Sequence, residues 1–98
     1  YQEIEMLRWV VYQMAWKMDN GRTDVRLDGS MVKLQGTEMI TRVVDRAIQL
    51  FGGMGVSKEL PLEYISRMCR VMRIVEGPSE VHRWVIARDL LRNGLPSQ

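Results

Sequence analysis

Cysteine and histidine each occur once in these 98 residues. A lone Cys69 excludes a disulfide framework within the chain and is compatible with a reducing compartment. With His82 as the single histidine, no set of ligands stands at metal-binding spacing. No apolar run approaches the roughly 20 residues that a spanning helix needs, and no signal-peptide pattern is present. Charge of one sign is also lacking. Fourteen Lys and Arg face 12 Asp and Glu, and a net charge of +2 with no basic-aromatic platform argues against nucleic acid as a partner. Period-two alternation is missing as well, so no strand is expected.

Helical spacing is what the chain does have. The length allows one modest domain. A first helix is predicted over about 1–18, where Ile4, Leu7, Val11, Met14 and Met18 recur every three or four residues. Asp19-Asn20-Gly21 ends it, and 22–29 reads as a polar loop. A second helix is predicted over about 30–51, with Gly36 inside it marking a close helix approach. A third spans about 62–72, turning Ile65, Met68, Cys69 and Met72 inward, and a fourth spans 78–91, stopped by Asn93-Gly94. The fold class is all-α, an antiparallel helical bundle. Trp9, Trp16 and Trp84, together with eight Met, give more apolar surface than three long helices can cover, the signature of an oligomer interface.

The run Arg73-Ile74-Val75-Glu76-Gly77-Pro78-Ser79-Glu80-Val81-His82-Arg83 is the densest in chemistry. It sets the Glu76 carboxylate on a turn at the start of a helix. Pro78 suits the first helical position and Glu80 that of a capping-box acid. Such an acid is held by its backbone while its head stays free, as a general base must be. The same pattern also describes a solvated acid stabilised by a helix dipole. Gly77 serves either as a cap or as a place where a ligand nears the backbone. Gly52-Gly53, after a helix, is either a C-cap or a set of free amides. Arg67, Arg70 and Arg73 form a basic stripe, read as a solvated face with acids at Glu59, Glu63 and Glu76.

Three segments in order resemble one family. Glu76-Gly77-Pro78-Ser79-Glu80 with Arg83, Ile86-Ala87-Arg88 and Leu90-Leu91 is similar to the last helix of an acyl-CoA dehydrogenase, where the family reads Glu-Gly-Thr-Ser-Glu. Gln49-Leu50-Phe51-Gly52-Gly53-Met54-Gly55 resembles its Gln-x-x-Gly-Gly-x-Gly, and Lys58-Glu59-Leu60-Pro61-Leu62-Glu63 its Lys-Glu-Tyr-Pro-Val-Glu. The resemblance covers nearly the whole chain but only the carboxy-terminal helical part of the family's polypeptide. Residues 1–98 therefore read as one piece of that domain. Entry into a helical pattern at Tyr1 without an initiator Met agrees with this.

The resemblance implies α,β-dehydrogenation of an acyl-CoA thioester with FAD, with Glu76 as the base that removes the α-proton. It implies Gly77 against the substrate. Pro78, Ser79 and Glu80 would lie near the flavin, and Gln49, Leu50, Phe51, Gly52 and Gly53 would meet the adenosine and pyrophosphate of the FAD of a neighbouring subunit. Pro78 departs from the family's Thr, removing a hydroxyl and an N–H. Arg67-Met68 replaces its Arg-Asp pair, and His82 stands where Gln is common. The resemblance further implies a homodimer or homotetramer, an electron-transferring flavoprotein as electron acceptor, and a cytoplasmic or mitochondrial-matrix location. The isolated piece is expected to be inactive. Two alternatives stand beside this: a flavoprotein oxidase on the same scaffold, and a non-catalytic, self-associating helical module.

Overall fold

The computed structural model describes residues 1–95, and these form five helices: α1 (Gln2–Asp19), α2 (Arg26–Phe51), α3 (Gly53–Val56), α4 (Leu62–Met72) and α5 (Ser79–Asn93). The all-α expectation holds. Among the described residues no helix is long and apolar enough to cross a membrane.

The long helix α2 is the axis, and α1, α3, α4 and α5 all pack on it. Three of them run antiparallel to it. Along α1, Leu7 lies against Gly36 and Met14 against Gly29, while Lys17 reaches back to Asp28 at 2.5 Å. The close approach expected at Gly36 is not required there: a Cβ would meet Leu7 Cδ2 at 3.6 Å, an ordinary van der Waals contact. Helix α4 ends beside Lys33. Helix α5 starts beside Glu38 and ends in a hollow shared by Leu27, Arg88 and Asp89.

Helix α2 begins at Arg26, four residues before the position its apolar spacing indicates. The polar stretch is helical because Asp28 and Ser30, both 6 % exposed, are turned into the structure, Asp28 toward Lys17. Gly29 breaks nothing, since its missing Cβ faces Met14 with room to spare. Helix α5 starts at Ser79, with Pro78 as its N-cap, and no capping box forms: Glu80 points to Arg83 at 3.4 Å. The expected stop at Gly94 is present, at φ 74°. The one-turn helix α3 was not foreseen.

Burial is sparse. Met39, Val44, Cys69 and Val85 are the buried hydrophobic residues, and α1 buries none. Of the predicted α1 stripe, Leu7 and Met14 are half-buried, while Ile4, Val11 and Met18 stay exposed because α1 touches α2 alone. On α4, Cys69 is fully inward, but Met68 and Met72 are partly open. The exposed surface is 7477 Å², against about 5,800 Å² for a compact monomer of this mass. The radius of gyration is 16.1 Å, where about 13 Å is usual. Trp9, Tyr12 and Trp16 on α1 and Leu50 and Phe51 on α2 contribute to this open apolar surface. A surface of that kind is built to be covered.

Candidate functional site

The turn between α4 and α5 carries the candidate acid. Among the described residues Glu76 is the one non-glycine with positive φ, at 55°, and Gly77 follows at 85°. Left-handed backbone costs about 1–2 kcal/mol for a residue with a Cβ, so it persists where neighbours impose it. Here they do. Lys33 Nζ, from the first third of α2, donates to the carbonyls of Met72 (2.6 Å), Val75 (2.8 Å) and Gly77 (2.8 Å). His82, one turn into α5, has Nε2 3.1 Å from the Glu76 carbonyl oxygen. A carbonyl only accepts, so Nε2 carries the proton in that contact.

The same turn is pinned at its flanks. Ser79 N–H donates to the Arg73 carbonyl at 3.1 Å. Glu38 Oε1 on α2 accepts from both the Ser79 hydroxyl (2.8 Å) and Arg73 Nε (2.9 Å), with Arg83 at 3.8 Å. The Ser79 hydroxyl bond, then Arg73, hold the Glu38 carboxyl below its ordinary value against the opposing effect of burial. The backbone of the turn is thus over-determined, while the Glu76 side chain is exposed and makes no hydrogen bond or ion pair among the described residues. Ile74 and Val75, the two residues before it, are exposed too.

Other sequence expectations meet this geometry differently. Gly77 is needed by the protein itself: a Cβ there would stand 2.8 Å from His82 Nε2. Ser79 is 2 % exposed with its hydroxyl donated to Glu38, so it offers no free hydroxyl proton to a ligand. Pro78 and Glu80 are exposed and share a shallow hollow of about 100 Å³ with Arg70, Arg73, Ile74 and Ser79. The basic stripe divides: Arg67 pairs with Glu63 at 2.9 Å and Arg73 turns to Glu38, neither with Glu76.

Gln49, Leu50, Phe51, Gly52 and Gly53 form a separate, exposed patch at the far end of α2. Gly52 N–H caps the helix onto the Ile48 and Gln49 carbonyls at φ 59°, and open space surrounds both glycines. Sixteen residues of helix from Lys33 to Gln49 put this patch about 24 Å from the Glu76 turn. The chain does not bring the two together. The exposed Gln49 amide, both donor and acceptor, and the uncovered glycine backbone fit contacts to an extended polar cofactor.

Comparison with known proteins identifies the frame. The profile described as "Acyl-CoA dehydrogenase, C-terminal domain" matches residues 1–91. The chain belongs to the acyl-CoA dehydrogenase family. It is 52 % identical over 92 residues to (R)-benzylsuccinyl-CoA dehydrogenase of Thauera aromatica, covering 94 % of this chain and 23 % of that protein. It is 37 % identical over 86 residues to the human mitochondrial very long-chain specific acyl-CoA dehydrogenase, covering 84 % and 13 %. Its fold is similar, at TM-score 0.87 and 26 % identity, to a putative acyl-CoA dehydrogenase of Mycobacterium smegmatis, over 94 % of this chain and 24 % of that one. A chain in the solved structure described as the electron transferring flavoprotein of Acidaminococcus fermentans superposes at TM-score 0.85 with 32 % identity, over 94 % and 24 %. The acyl-CoA dehydrogenase domain seen here spans from 13 % to 24 % of the length of these relatives.

Sequence reasoning passed over Lys33, and it passed over Glu38. Their partners lie 35 to 44 residues further along the chain, so no local pattern marks either one. His82 was noted but given no task.

Proposed function

We propose that this domain works as the carboxy-terminal part of an FAD-dependent acyl-CoA dehydrogenase, with Glu76 as the base that takes the α-proton of an acyl-CoA thioester. The observation that carries this reading is the combination at Glu76 of a fixed left-handed backbone and an unpartnered carboxylate. A base needs that pairing of rigid stem and free head. FAD, when bound, supplies the acceptor for the β-hydrogen and its electron pair. The chain's own share is to aim Glu76 and to present the exposed Ile74 and Val75, which exclude water once substrate and neighbouring domains cover them. Gly77 completes the turn beneath the substrate thioester.

Gln49, Gly52 and Gly53, with Leu50 and Phe51, are assigned to a cofactor bound mainly by another copy of the chain. The roughly 24 Å of helix between them and Glu76 supports this, as does the exposed apolar surface of α1 and α2. A homodimer or homotetramer follows from it. Pro78 and Glu80 are assigned to the cofactor edge of the Glu76 turn, Ser79 only through its backbone. An electron-transferring flavoprotein is assigned as the electron acceptor on the family resemblance.

The test uses the full polypeptide that carries this domain, mixed without oxygen with acyl-CoA thioesters while flavin absorbance is followed. The set includes straight-chain thioesters and benzylsuccinyl-CoA, since the Thauera relative is named for that substrate. Rapid bleaching that Glu76→Gln abolishes, with flavin still bound, is the expected result. Unchanged bleaching in Glu76→Gln would remove the base assignment. Fast reoxidation of the reduced flavin by oxygen would favour the oxidase reading, and absence of any flavin the self-association module.

A further inference from the structure

Three carbonyls of the α4–α5 turn converge on one ammonium. Lys33 Nζ has three N–H donors, and the three contacts at 2.6–2.8 Å to Met72, Val75 and Gly77 use all of them. No acid pairs with Lys33 among the described residues; its charge is spent on backbone dipoles. Met72 is the last residue of α4, so the ammonium also sits at the negative end of a helix. Between the Val75 and Gly77 carbonyls that Lys33 takes, that of Glu76 is held by His82. Together, α2 and α5 take up the carbonyls of 75, 76 and 77 in alternation, which is how a residue with a side chain is kept at φ 55°.

We infer that Lys33 and His82 are positioning residues for Glu76. Neither reaches the reacting atoms. Each acts by fixing the peptide units on either side of the Glu76 Cα, and hence the direction in which the carboxylate leaves the turn. This rests on the reading of Glu76 as the base. Displacement of a catalytic group by about 1 Å can slow a reaction by roughly 100-fold, so loss of either clamp is expected to act on the chemical step more than on binding.

The experiment uses the flavin-loaded full-length enzyme in anaerobic single turnover with saturating acyl-CoA. Lys33→Met keeps the aliphatic stem and removes all three donors. His82→Phe keeps a ring against Gly77 and removes the donor, leaving the Lys33 bonds in place. For each, the bleaching rate of the flavin-loaded fraction is expected to fall about 10- to 100-fold. The acyl-CoA dissociation constant should stay within about twofold, and the isotope effect with α-deuterated substrate should rise as proton removal becomes more limiting. Lys33→Arg keeps the charge, but its planar fork cannot place donors on three converging carbonyls, so it should not restore the rate.

Wild-type bleaching in the loaded fraction of either variant overturns the inference. So does a loss that follows flavin content alone, which marks a merely structural role. Should Lys33→Met fail to fold, His82→Phe decides. Glu76→Gln separates the two claims. If it bleaches normally the base reading fails, whereas an inert Glu76→Gln beside a normal Lys33→Met sinks only the positioning role.

Discussion

The Ser79 hydroxyl lies 2.8 Å from Glu38 Oε1, and that one oxygen also takes Arg73 Nε at 2.9 Å. A single carboxylate on α2 therefore ties the last residue before the Glu76 turn to the first residue after it. Glu38→Ala should cost about 1–2 kcal/mol, the lower part of the range for charge-assisted hydrogen bonds, because the partners keep some solvent contact. Ser79→Ala should cost about 1 kcal/mol. Thermal unfolding of the two variants and their double should show non-additivity, since both changes remove the same bond.

The Glu38 carboxyl, held low by Ser79 and Arg73, also sets an acid limit. A folded-state value below the ordinary 4.5 means the contribution is complete above that pH and is lost as pH falls through the lowered value. Glu3 behaves alike, held low by its hydrogen bonds to Arg42 and then Arg46, with 4.5 again the ordinary value. Wild-type stability should thus fall with acid below about pH 4.5 more steeply than that of Glu38→Gln. Equal slopes from pH 6 to pH 3 would contradict the shift. Adding Glu3→Gln should flatten the slope further.

Much of this was legible in the sequence, and the reasons differ by element. The period of apolar residues gave α4 its bounds, because Pro61 and the turn residues punctuate it on both sides. It missed the first turn of α2 because that turn is held by the Asp28–Lys17 pair, a contact between residues 11 apart that no local pattern displays. The Glu76 turn was visible as a motif. Its clamp was not, since Lys33 lies 39 residues before Met72 in the chain and reaches only backbone atoms. The inward turn of Ser79 was equally hidden, being set by Glu38 41 residues earlier.

Gly55 gives a second case in which a motif residue has a packing reason. A Cβ at Gly55 would stand 2.6 Å from the Ile48 carbonyl oxygen and 2.9 Å from its Cα, backbone atoms of α2 that cannot swing aside. Gly55→Ala should therefore destabilise by about 1–3 kcal/mol, the range for overpacking, and displace α3 from the end of α2. Gly53→Ala, where open space surrounds the missing Cβ, should cost well under 1 kcal/mol. Comparing the two by thermal unfolding separates packing from composition, and equal costs would refute the close approach.

Gly77→Ala meets two penalties at once. The residue has φ 85°, and the new methyl would fall 2.8 Å from His82 Nε2. The ring can yield, but only by leaving the Glu76 carbonyl. Strain of about 1–2 kcal/mol is expected from the backbone alone. The diagnostic sign is that Gly77→Ala combined with His82→Ala should be no less stable than Gly77→Ala itself, since the clash and the bond disappear together. A further loss on removing the ring would show that His82 does not contact this glycine.

The pair between Lys17 and Asp28 fastens α1, a helix with no buried residue, to the start of α2. The Asp28 side chain is 9 % exposed and that of Lys17 is 20 %, so the pair is shielded on the side of the acid. Removing the lysine leaves a nearly buried carboxylate without its cation, which costs more than the pair contributes. Lys17→Met should therefore destabilise by about 2–3 kcal/mol, softened because Asp28 lies in the first turn of α2 and keeps the favourable end of the helix dipole. Lys17→Met with Asp28→Leu should recover part of that loss, as no charge is then stranded. Thermal unfolding of the two single variants and the double would give the coupling. If the double falls by the sum of the singles, the pair is not coupled, and α1 must be held by its Leu7 and Met14 contacts and by the pairs of Glu3 with Arg42 and Arg46.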